Sequence, residues 1–286
     1  MIATAVVGTD EAIEREAFWI AELLGHEAIR LAREVGRQPS IAVETKRDEF
    51  DLTTRADKQI ERYLVAAIHE RFPGHAILGE ESGELFGVGP WQWVIDPIDG
   101  TFNFATGLPG SACSVALLHE GRARVGLVAD VTSGAVVRAR AGHGLVSSAH
   151  DPAAKVDARD NRSRARLFLE YGGEAFDAEM LAALRLLATV RPIIPRLIGS
   201  AAIALLAAAL KGGTFVGIGL RVWDVAAGVL LAEEAGLVAR WWLGQSHLVH
   251  VLVGEKEEVD AFGRVAADLA RRWEPSTARL VPIGSS

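Results

Sequence analysis

Cysteine is almost absent from this sequence, with Cys113 the only one among 286 residues. A single thiol excludes an intramolecular disulfide and a zinc site built from several thiolates. Cys113 lies in an apolar segment, and we expect it to pack as a small hydrophobic residue. A metal site in this chain would therefore rely on oxygen or nitrogen ligands.

Long apolar runs are also missing. The longest, Ala201 to Leu210, has ten residues and ends at Lys211, whereas a helix that spans a bilayer needs about 20. This run predicts a buried helix instead. The N-terminal segment lacks a basic region followed by an apolar core, so we expect no secretory signal. We predict a cytoplasmic protein with no membrane partner.

The third missing feature is an excess of positive charge. There are 30 Lys and Arg against 37 Asp and Glu, a formal net charge of −7. This balance argues against a nucleic-acid partner, which normally requires a basic face. Half of the residues are hydrophobic and 23% are charged, as in folded globular proteins. At about 150 residues per domain, the length fits two domains or one large one.

Hydrophobic periodicity changes character near residue 150. The first half (1–149) combines helices with antiparallel strands, and the second half (150–286) alternates strands with helices around a sheet. The polar stretch 150–166 predicts the connection between the halves. The fold class is therefore α/β, with an α+β N-terminal half. The predicted helices are 10–35, 57–71, 176–189, 200–211, 223–235 and 256–272, and the predicted strands are 76–78, 93–95, 113–118, 124–129, 135–139, 167–171, 192–198, 214–218, 237–242 and 248–253.

Two carboxylates follow the apolar segment Trp93–Ile95, in the string Asp96-Pro97-Ile98-Asp99-Gly100-Thr101. Carboxylates this close repel each other, so one holds a proton unless a cation lies between them. Oxygen ligands without nearby His or Cys suit Mg²⁺, Mn²⁺ or Ca²⁺, and the N–H groups of the turn suit a phosphate oxygen. The alternative is that Asp96 and Asp99 only form the turn.

Further acidic residues occupy similar places and weaken that alternative. Glu80 and Glu81 follow the apolar strand 76–78, and Asp57 lies at a helix start. Asp224 follows Trp223 at another helix start, where helix capping is the alternative role. Acidic residues at several element ends together predict one shared site.

These motifs together resemble the inositol monophosphatase family, part of the metal-dependent, lithium-sensitive phosphatases. They occur in the family's order from Lys46 to Gly236, about two thirds of the chain. The motifs are Asp51-Leu52-x-Thr54-x-x-Asp57, Gly79-Glu80-Glu81-Ser82, Asp96-Pro97-Ile98-Asp99-Gly100-Thr101-x-Asn103-Phe104, Gly199-Ser200-Ala201-Ala202, Trp223-Asp224-Val225-Ala226-Ala227-Gly228 and Glu234-Ala235-Gly236.

The resemblance implies a layered α/β/α/β/α sandwich with the active site between its halves. It also implies two or three Mg²⁺ ions, a water that Thr101 orients with Asp57 behind it, and an outer role for Glu81. The implied metal ligands are Glu80, Asp96, the Ile98 carbonyl, Asp99 and Asp224. The implied catalytic residues are Asp57, Thr101 and Glu80. The implied substrate-binding residues are Asp99, Gly100, Thr101, Gly199, Ser200, Ala201 and Asp224.

The implied activity is hydrolysis of the phosphate monoester of a small alcohol by a water that the metal activates. Inositol monophosphate is the default substrate, and a homodimer is the expected assembly. A regulatory protein that keeps the fold without depending on turnover is the alternative from another class. The haloacid-dehalogenase class uses Asp-x-Asp-Gly-Thr, one residue shorter than the string from Asp96 to Thr101, and this spacing disfavours it.

Departures from the family's pattern leave the substrate open. Inositol phosphatases usually have a Glu six residues before the Trp of the Trp-Asp pair, and Gly217 stands there in this chain. A glycine has no side chain to accept a hydroxyl hydrogen bond. Arg221 is a candidate contact for a second anionic group. Fructose bisphosphate, histidinol phosphate and phosphoadenosine phosphate therefore remain alternative substrates.

Overall fold

The structure is a computed structural model that describes residues 9–37, 43–45, 52–85, 87, 89–148, 166–172, 178–243, 248–273 and 279–281. The helices in these ranges are α1 (Asp10–Gly36), α2 (Arg55–Arg71), α3 (Thr101–Thr106), α4 (Ala178–Val190), α5 (Ala201–Lys211), α6 (Val222–Glu234) and α7 (Lys256–Trp273). The strands are β1 (Val43–Thr45), β2 (Leu52–Thr54), β3 (Ala76–Gly79), β4 (Gly83–Leu85), β5 (Trp91–Asp99), β6 (Ala112–His119), β7 (Arg122–Asp130), β8 (Val136–Arg140), β9 (Leu145–Ser147), β10 (Arg166–Tyr171), β11 (Ile194–Arg196), β12 (Thr214–Arg221), β13 (Val238–Leu243), β14 (Leu248–Gly254) and β15 (Arg279–Val281).

Two mixed sheets form the body of the molecule. The first has seven strands in the order β4-β3-β5-β6-β7-β8-β9, with β3 and β5 parallel and the other neighbours antiparallel. The second has six strands in the order β11-β10-β12-β14-β13-β15, with β10 parallel to both of its neighbours. The short strands β1 and β2 pair with each other.

Apolar side chains join these sheets and helices into five layers. Helices α1 and α2 cover the outer face of the first sheet, where Ile60 and Trp93 share one core cluster. Helices α5 and α6 lie between the sheets, since Leu230 packs with Val94 of the first sheet and Val229 with the second. Helices α4 and α7 cover the far face, where Phe262 is buried. The predicted α/β class and layered sandwich are confirmed.

Most predicted elements are present, with shifted ends. Helix α2 begins at Arg55, two residues earlier than predicted, because Thr54 caps it through its side-chain oxygen. Strand β11 is shorter than the predicted 192–198 because the amides of Ile198 and Gly199 bond to Glu170 instead of a neighbouring strand. The short elements β1, β2, β4, α3, β9 and β15 were not predicted.

Some predictions fall outside the described residues, namely Lys46, Asp51 and the division between residues 149 and 150. No helix within the described ranges combines the length and the apolar character needed to cross a bilayer.

Candidate active site

Asp96 and Asp99 lie at the end of β5, on either side of a β-bulge. Asp96 pairs with Ser114 of β6 and Asp99 with Ala112, so β5 contains one extra residue between them. Pro97 lies in this bulge, where its missing N–H group takes nothing from the sheet. The bulge changes the direction of the strand and places both carboxylates at its carboxyl end.

The turn after β5 requires a glycine. Gly100 has a φ of +85°, and a Cβ there would lie 2.6 Å from the Gly110 carbonyl oxygen. Helix α3 begins at the next residue, Thr101. Thr101 Oγ1 donates to the Ile98 carbonyl oxygen at 2.9 Å and lies 3.4 Å from Asp57 Oδ1. The turn therefore brings the Thr101 hydroxyl to the buried carboxylate of α2.

Glu80 reaches the same place from the neighbouring strand. Strands β3 and β5 are parallel, and Gly79 is in register with Ile95. The Glu80 amide extends this pairing by donating to the Ile95 carbonyl oxygen at 3.1 Å. Because the carboxyl ends of parallel strands meet at one edge of a sheet, Glu80 and Asp96 become neighbours although they are 16 positions apart in the sequence.

The second half of the chain contributes the first residues of two helices. Ser200 caps α5, and its Oγ donates to Asp99 Oδ2 at 2.6 Å. The Ala202 amide donates to the same oxygen at 2.6 Å. Asp224 is the third residue of α6, not its N-cap, because the helix begins at Val222 and Asp224 Oδ2 accepts from the Arg221 amide at 2.7 Å. The N-cap is Arg221, and Asp224 caps the helix as the third residue of a capping box, with its second oxygen left for other contacts.

A cavity of about 200 Å³ connects these groups. It includes ten of the predicted site residues; Asp57 is buried behind Thr101 and does not line the cavity. Glu170, Tyr171, Gly172 and Leu220 are additional lining residues that sequence reasoning missed. The complete lining is Glu80, Asp96, Ile98, Asp99, Gly100, Thr101, Glu170, Tyr171, Gly172, Gly199, Ser200, Ala201, Leu220 and Asp224.

Glu170 could have been recognised in the sequence, because it is an acidic residue at the end of the apolar run Leu167–Leu169. Its two oxygens accept from the amides of Ile198 (2.7 Å) and Gly199 (3.1 Å). On the other side, Asn103 Nδ2 donates to the Ile198 carbonyl oxygen at 2.8 Å. The loop before Ser200 is therefore held from both halves of the chain.

Two residues that bear on the choice of substrate, Gly217 and Arg221, do not line this cavity. Gly217 is in register with Glu170, but a Cβ on it would lie 2.6 Å from Leu220 Cδ1. The Leu220 side chain occupies the space that a side chain at 217 would take. Arg221, the candidate contact for a second anion, does not line the cavity either.

Three carboxyl groups that line the cavity resist ionisation. Burial raises the pKa of Asp96 well above its usual value, and the charge of Glu80 raises it further. Burial and the charge of Asp99 do the same to the pKa of Asp224. The pKa of Asp99 rises to about 7 through burial, although the Ser200 hydrogen bond opposes the rise. Such a cluster holds protons at neutral pH or requires a cation.

Two further carboxyl groups around the cavity titrate near neutrality. Burial raises the pKa of Asp57 to about 7, against the lowering effect of the hydrogen bonds from Thr54. Burial also raises the pKa of Glu170 to about 7, although the Ile198 amide lowers it. Asp57 is thus suited to accept a proton at physiological pH.

The donor atoms of the cavity fit a hard divalent cation. Asp96 is 2% exposed, and its Oδ1 has no hydrogen-bond partner in the described part of the chain. Buried carboxylate oxygens and a carbonyl oxygen are the ligands that Mg²⁺ and Ca²⁺ accept. Among the described residues, no three His, Cys, Asp or Glu side chains are gathered closely enough to hold an ion as they stand.

A larger cavity, of about 440 Å³, lies between β13 and α7. It contains none of the predicted site residues, and its arginines are partly neutralised. Arg240 pairs with Asp260 at 2.6 Å, and Arg271 pairs with Asp268. The smaller cavity is the candidate active site because of its chemistry, not its size.

The fold has two stacked sheets, and its acidic cavity lies where β3 and β5 end and where α5 and α6 begin. Comparison with known proteins gives the family. The chain belongs to the inositol monophosphatase family, whose model matches residues 15–277. The resemblance predicted from the motifs is confirmed.

Relatives in this family have two kinds of name. A protein of Pasteurella multocida named Nus factor SuhB is 35% identical over 238 residues, covering 77% of this chain and 86% of the relative. A Bacillus subtilis protein named inositol-1-monophosphatase is 32% identical over 207 residues, covering 69% and 75%. The solved structure of Mycobacterium tuberculosis SuhB is 30% identical with a TM-score of 0.66, covering 88% and 97%.

Proposed function

We propose that this chain is a Mg²⁺-dependent phosphatase that hydrolyses the phosphate monoester of a small alcohol, with inositol monophosphate as the first candidate substrate. The observation that carries this proposal is the convergence of Glu80, Asp96, Asp99 and Asp224 on one cavity beside the Thr101 hydroxyl. Membership of the family supports it, as does the name of the Bacillus subtilis relative.

Glu80, Asp96, Asp99, Asp224 and the Ile98 carbonyl would hold the ions. Mg²⁺ at this position would supply charge neutralisation for the phosphoryl group and acidify a coordinated water. The raised carboxyl pKa values are consistent with this assignment, because a divalent cation displaces the protons that the cluster otherwise retains.

Thr101 and Asp57 would move the proton. The Thr101 hydroxyl lies between the cavity and Asp57 Oδ1, and its one proton is directed at the Ile98 carbonyl. It would turn from that carbonyl to Asp57 in order to accept a hydrogen bond from a water while donating to the carboxylate. A group with a pKa near 7 is matched to general-base catalysis at neutral pH. Such a base contributes roughly 10²–10⁴-fold to the rate.

The remaining lining would bind the substrate. We assign the phosphate to the turn at Gly100 and Thr101, although the Gly100 amide already bonds to Asp99 and would have to share that contact. The alcohol would face Gly199, Ser200 and Ala201. A cavity of about 200 Å³ fits a small monophosphate.

A phosphate-release panel tests this function. The purified chain is incubated with inositol monophosphate, fructose bisphosphate, histidinol phosphate and phosphoadenosine phosphate, with Mg²⁺ and with Mg²⁺ plus Li⁺. We expect Mg²⁺-dependent release from at least one substrate and inhibition by Li⁺. Absence of release from all four would contradict the proposal.

The name Nus factor SuhB of the Pasteurella multocida relative favours a second candidate, a factor whose role does not depend on turnover. A variant that has lost the carboxylate of Asp96 separates the two: full biological activity without phosphate release would favour the factor.

A homodimer and a cytoplasmic location also stay predictions. Exposed apolar side chains, among them Phe102, Leu108 and Leu197, support association of two copies.

A further inference from the structure

Glu61 is a buried acidic residue that lies outside the predicted site. It is 3% exposed and follows Asp57 by four positions in α2. Residues four apart share one face of a helix, so α2 directs two buried carboxylates towards the same part of the molecule. Asp57 faces Thr101, and Glu61 faces the turn that contains Glu80.

The contacts of Glu61 are with the backbone of that turn. Its Oε2 accepts from the Glu81 amide at 2.9 Å and its Oε1 from the Ser82 amide at 2.8 Å. The two oxygens thus accept hydrogen bonds from the amides of the two residues that follow Glu80. Hydrogen bonds to a charged acceptor are stronger than those between neutral groups, so the contact fixes the turn firmly.

Gly79 makes room for this carboxylate. A Cβ at Gly79 would lie 2.7 Å from Glu61 Cδ and 2.7 Å from its Oε1. Real Cβ atoms do not approach so closely, so even an alanine would displace the Glu61 carboxylate from its place. The absence of a side chain at Gly79 therefore leaves the space that the Glu61 carboxylate occupies.

We propose that Glu61 is a positioning residue for Glu80: it anchors the Gly79–Ser82 turn and so holds the Glu80 carboxylate at the cation site. The inference rests on the proposed function for the cation itself. On one side, pairing of β3 with β5 holds the turn through the Glu80 amide and the Ile95 carbonyl. On the other side, Glu61 supplies the restraint.

Loss of a residue that orients a metal ligand typically weakens metal binding by 10–100-fold. Glu61→Gln replaces one accepting oxygen by an NH₂ group that would face an amide donor, so one of the two hydrogen bonds is lost. We expect roughly 10-fold weaker binding of Mn²⁺, used as the probe cation and measured by electron paramagnetic resonance of the free ion. At saturating Mg²⁺ the KM for the substrate stays unchanged, while the half-saturating Mg²⁺ concentration rises.

Two matched variants sharpen the test. Glu70→Gln makes the same charge change on the exposed face of α2 and should leave Mn²⁺ affinity as in the wild type. Gly79→Ala perturbs the contact without removing a charge or a hydrogen-bonding group and should weaken Mn²⁺ binding as Glu61→Gln does. Because both changes break one contact, the double variant should lose little more than either single variant.

Equal Mn²⁺ affinity in the wild type, Glu61→Gln and Gly79→Ala would overturn the inference, and so would a wild type that binds no Mn²⁺. If Glu61→Gln fails to fold, Gly79→Ala decides the question alone. The two proposals fail separately. A wild type that binds Mn²⁺ but releases no phosphate contradicts the proposed function, whereas the Mn²⁺ titration of the variants still decides the role of Glu61.

Discussion

In the first half of the chain the acidic side chains of the cavity project from the ends of two parallel strands, whereas the second half adds the starts of two helices to the strand-end residue Glu170. Asp96 and Glu80 depend on the pairing of β3 with β5. Ser200 and Asp224 depend on the starts of α5 and α6. The same pocket is thus built in two structurally different ways.

The difference shows in how the acceptor oxygens are satisfied. Asp224 Oδ2 bonds to the Arg221 amide and Asp99 Oδ2 to Ser200, so the helix starts fix these carboxylates. At the strand end, Asp96 Oδ1 has no partner among the described residues. The strand end therefore leaves an oxygen of Asp96 for a cation, and the helix starts of the second half hold Asp99 and Asp224 in place.

The largest effect is expected from removing the strand-end charge. Asp96→Asn should lower phosphate release by roughly 10³-fold or more, because several kcal/mol of charge stabilisation are lost at about 1.4 kcal/mol per factor of ten. Without cations the variant should unfold at the same or a higher temperature than the wild type, since a buried carboxyl group is gone. Phosphate release and thermal unfolding measure the two effects.

Asp10→Asn, an exposed change at the start of α1, is the control and should keep normal turnover. Undiminished turnover of Asp96→Asn would show that the strand end is not the reactive side of the pocket.

A medium effect is expected from the helix side. Ser200→Ala removes the hydroxyl that donates to Asp99 and also accepts from the Ile203 amide. Loss of the cap should cost about 0.5–2 kcal/mol of unfolding free energy, and misplacement of Asp99 should reduce turnover roughly 10–100-fold. Urea unfolding and phosphate release measure these losses.

Ser200→Thr retains a hydroxyl and should restore most of both quantities. A Ser200→Ala variant that is less stable but fully active would mean that the Ser200 hydroxyl only caps α5 and that the Ala202 amide is enough to hold Asp99.

The smallest effect concerns acid stability, for which the relevant groups are two buried histidines, His75 just before β3 and His250 in β14. Burial lowers the pKa of His75 and of His250 to about 4, from the ordinary value of 6.5. Between these values the unfolded chain binds more protons than the folded one. Stability is therefore fully present above pH 6.5 and is lost as the pH falls towards 4.

His75→Phe should weaken this pH dependence, because the ring that must lose its proton on folding is gone while its stacking with Phe72 can be retained. Urea midpoints between pH 7 and pH 4 measure the change. His250 accepts from the Gly219 amide, so its remaining titration should leave part of the slope. An identical slope in His75→Phe would place the acid sensitivity elsewhere.

Much of the site could be predicted because its residues stand next to recognisable element ends. The string from Asp96 to Thr101 combines an apolar strand, two carboxylates and a glycine that the turn requires. Glu170 and Leu220 were missed because they enter the cavity through pairing of β10 with β12 and through the irregular register of β12 with β14. Such pairings link residues that are distant in the chain.

Glu61 illustrates an intermediate case. Its spacing of four from Asp57 on a helix was visible in the sequence, but its partners, the amides of Glu81 and Ser82, were not. Local spacing shows which side chains share a face, whereas the surface opposite that face depends on how the helix packs against the sheet.

By itself, the sequence determined the α/β class, the presence of most helices and strands, and the identity of the acidic residues, because periodicity, turn residues and capping act over a few neighbouring positions. The tertiary structure alone decided which carboxylates share the cavity, that burial raises the pKa of Asp57 and Asp99 to about 7, and that Leu220 fills the space above Gly217. These properties depend on desolvation and on packing between segments that meet only when both sheets and the helices between them are assembled.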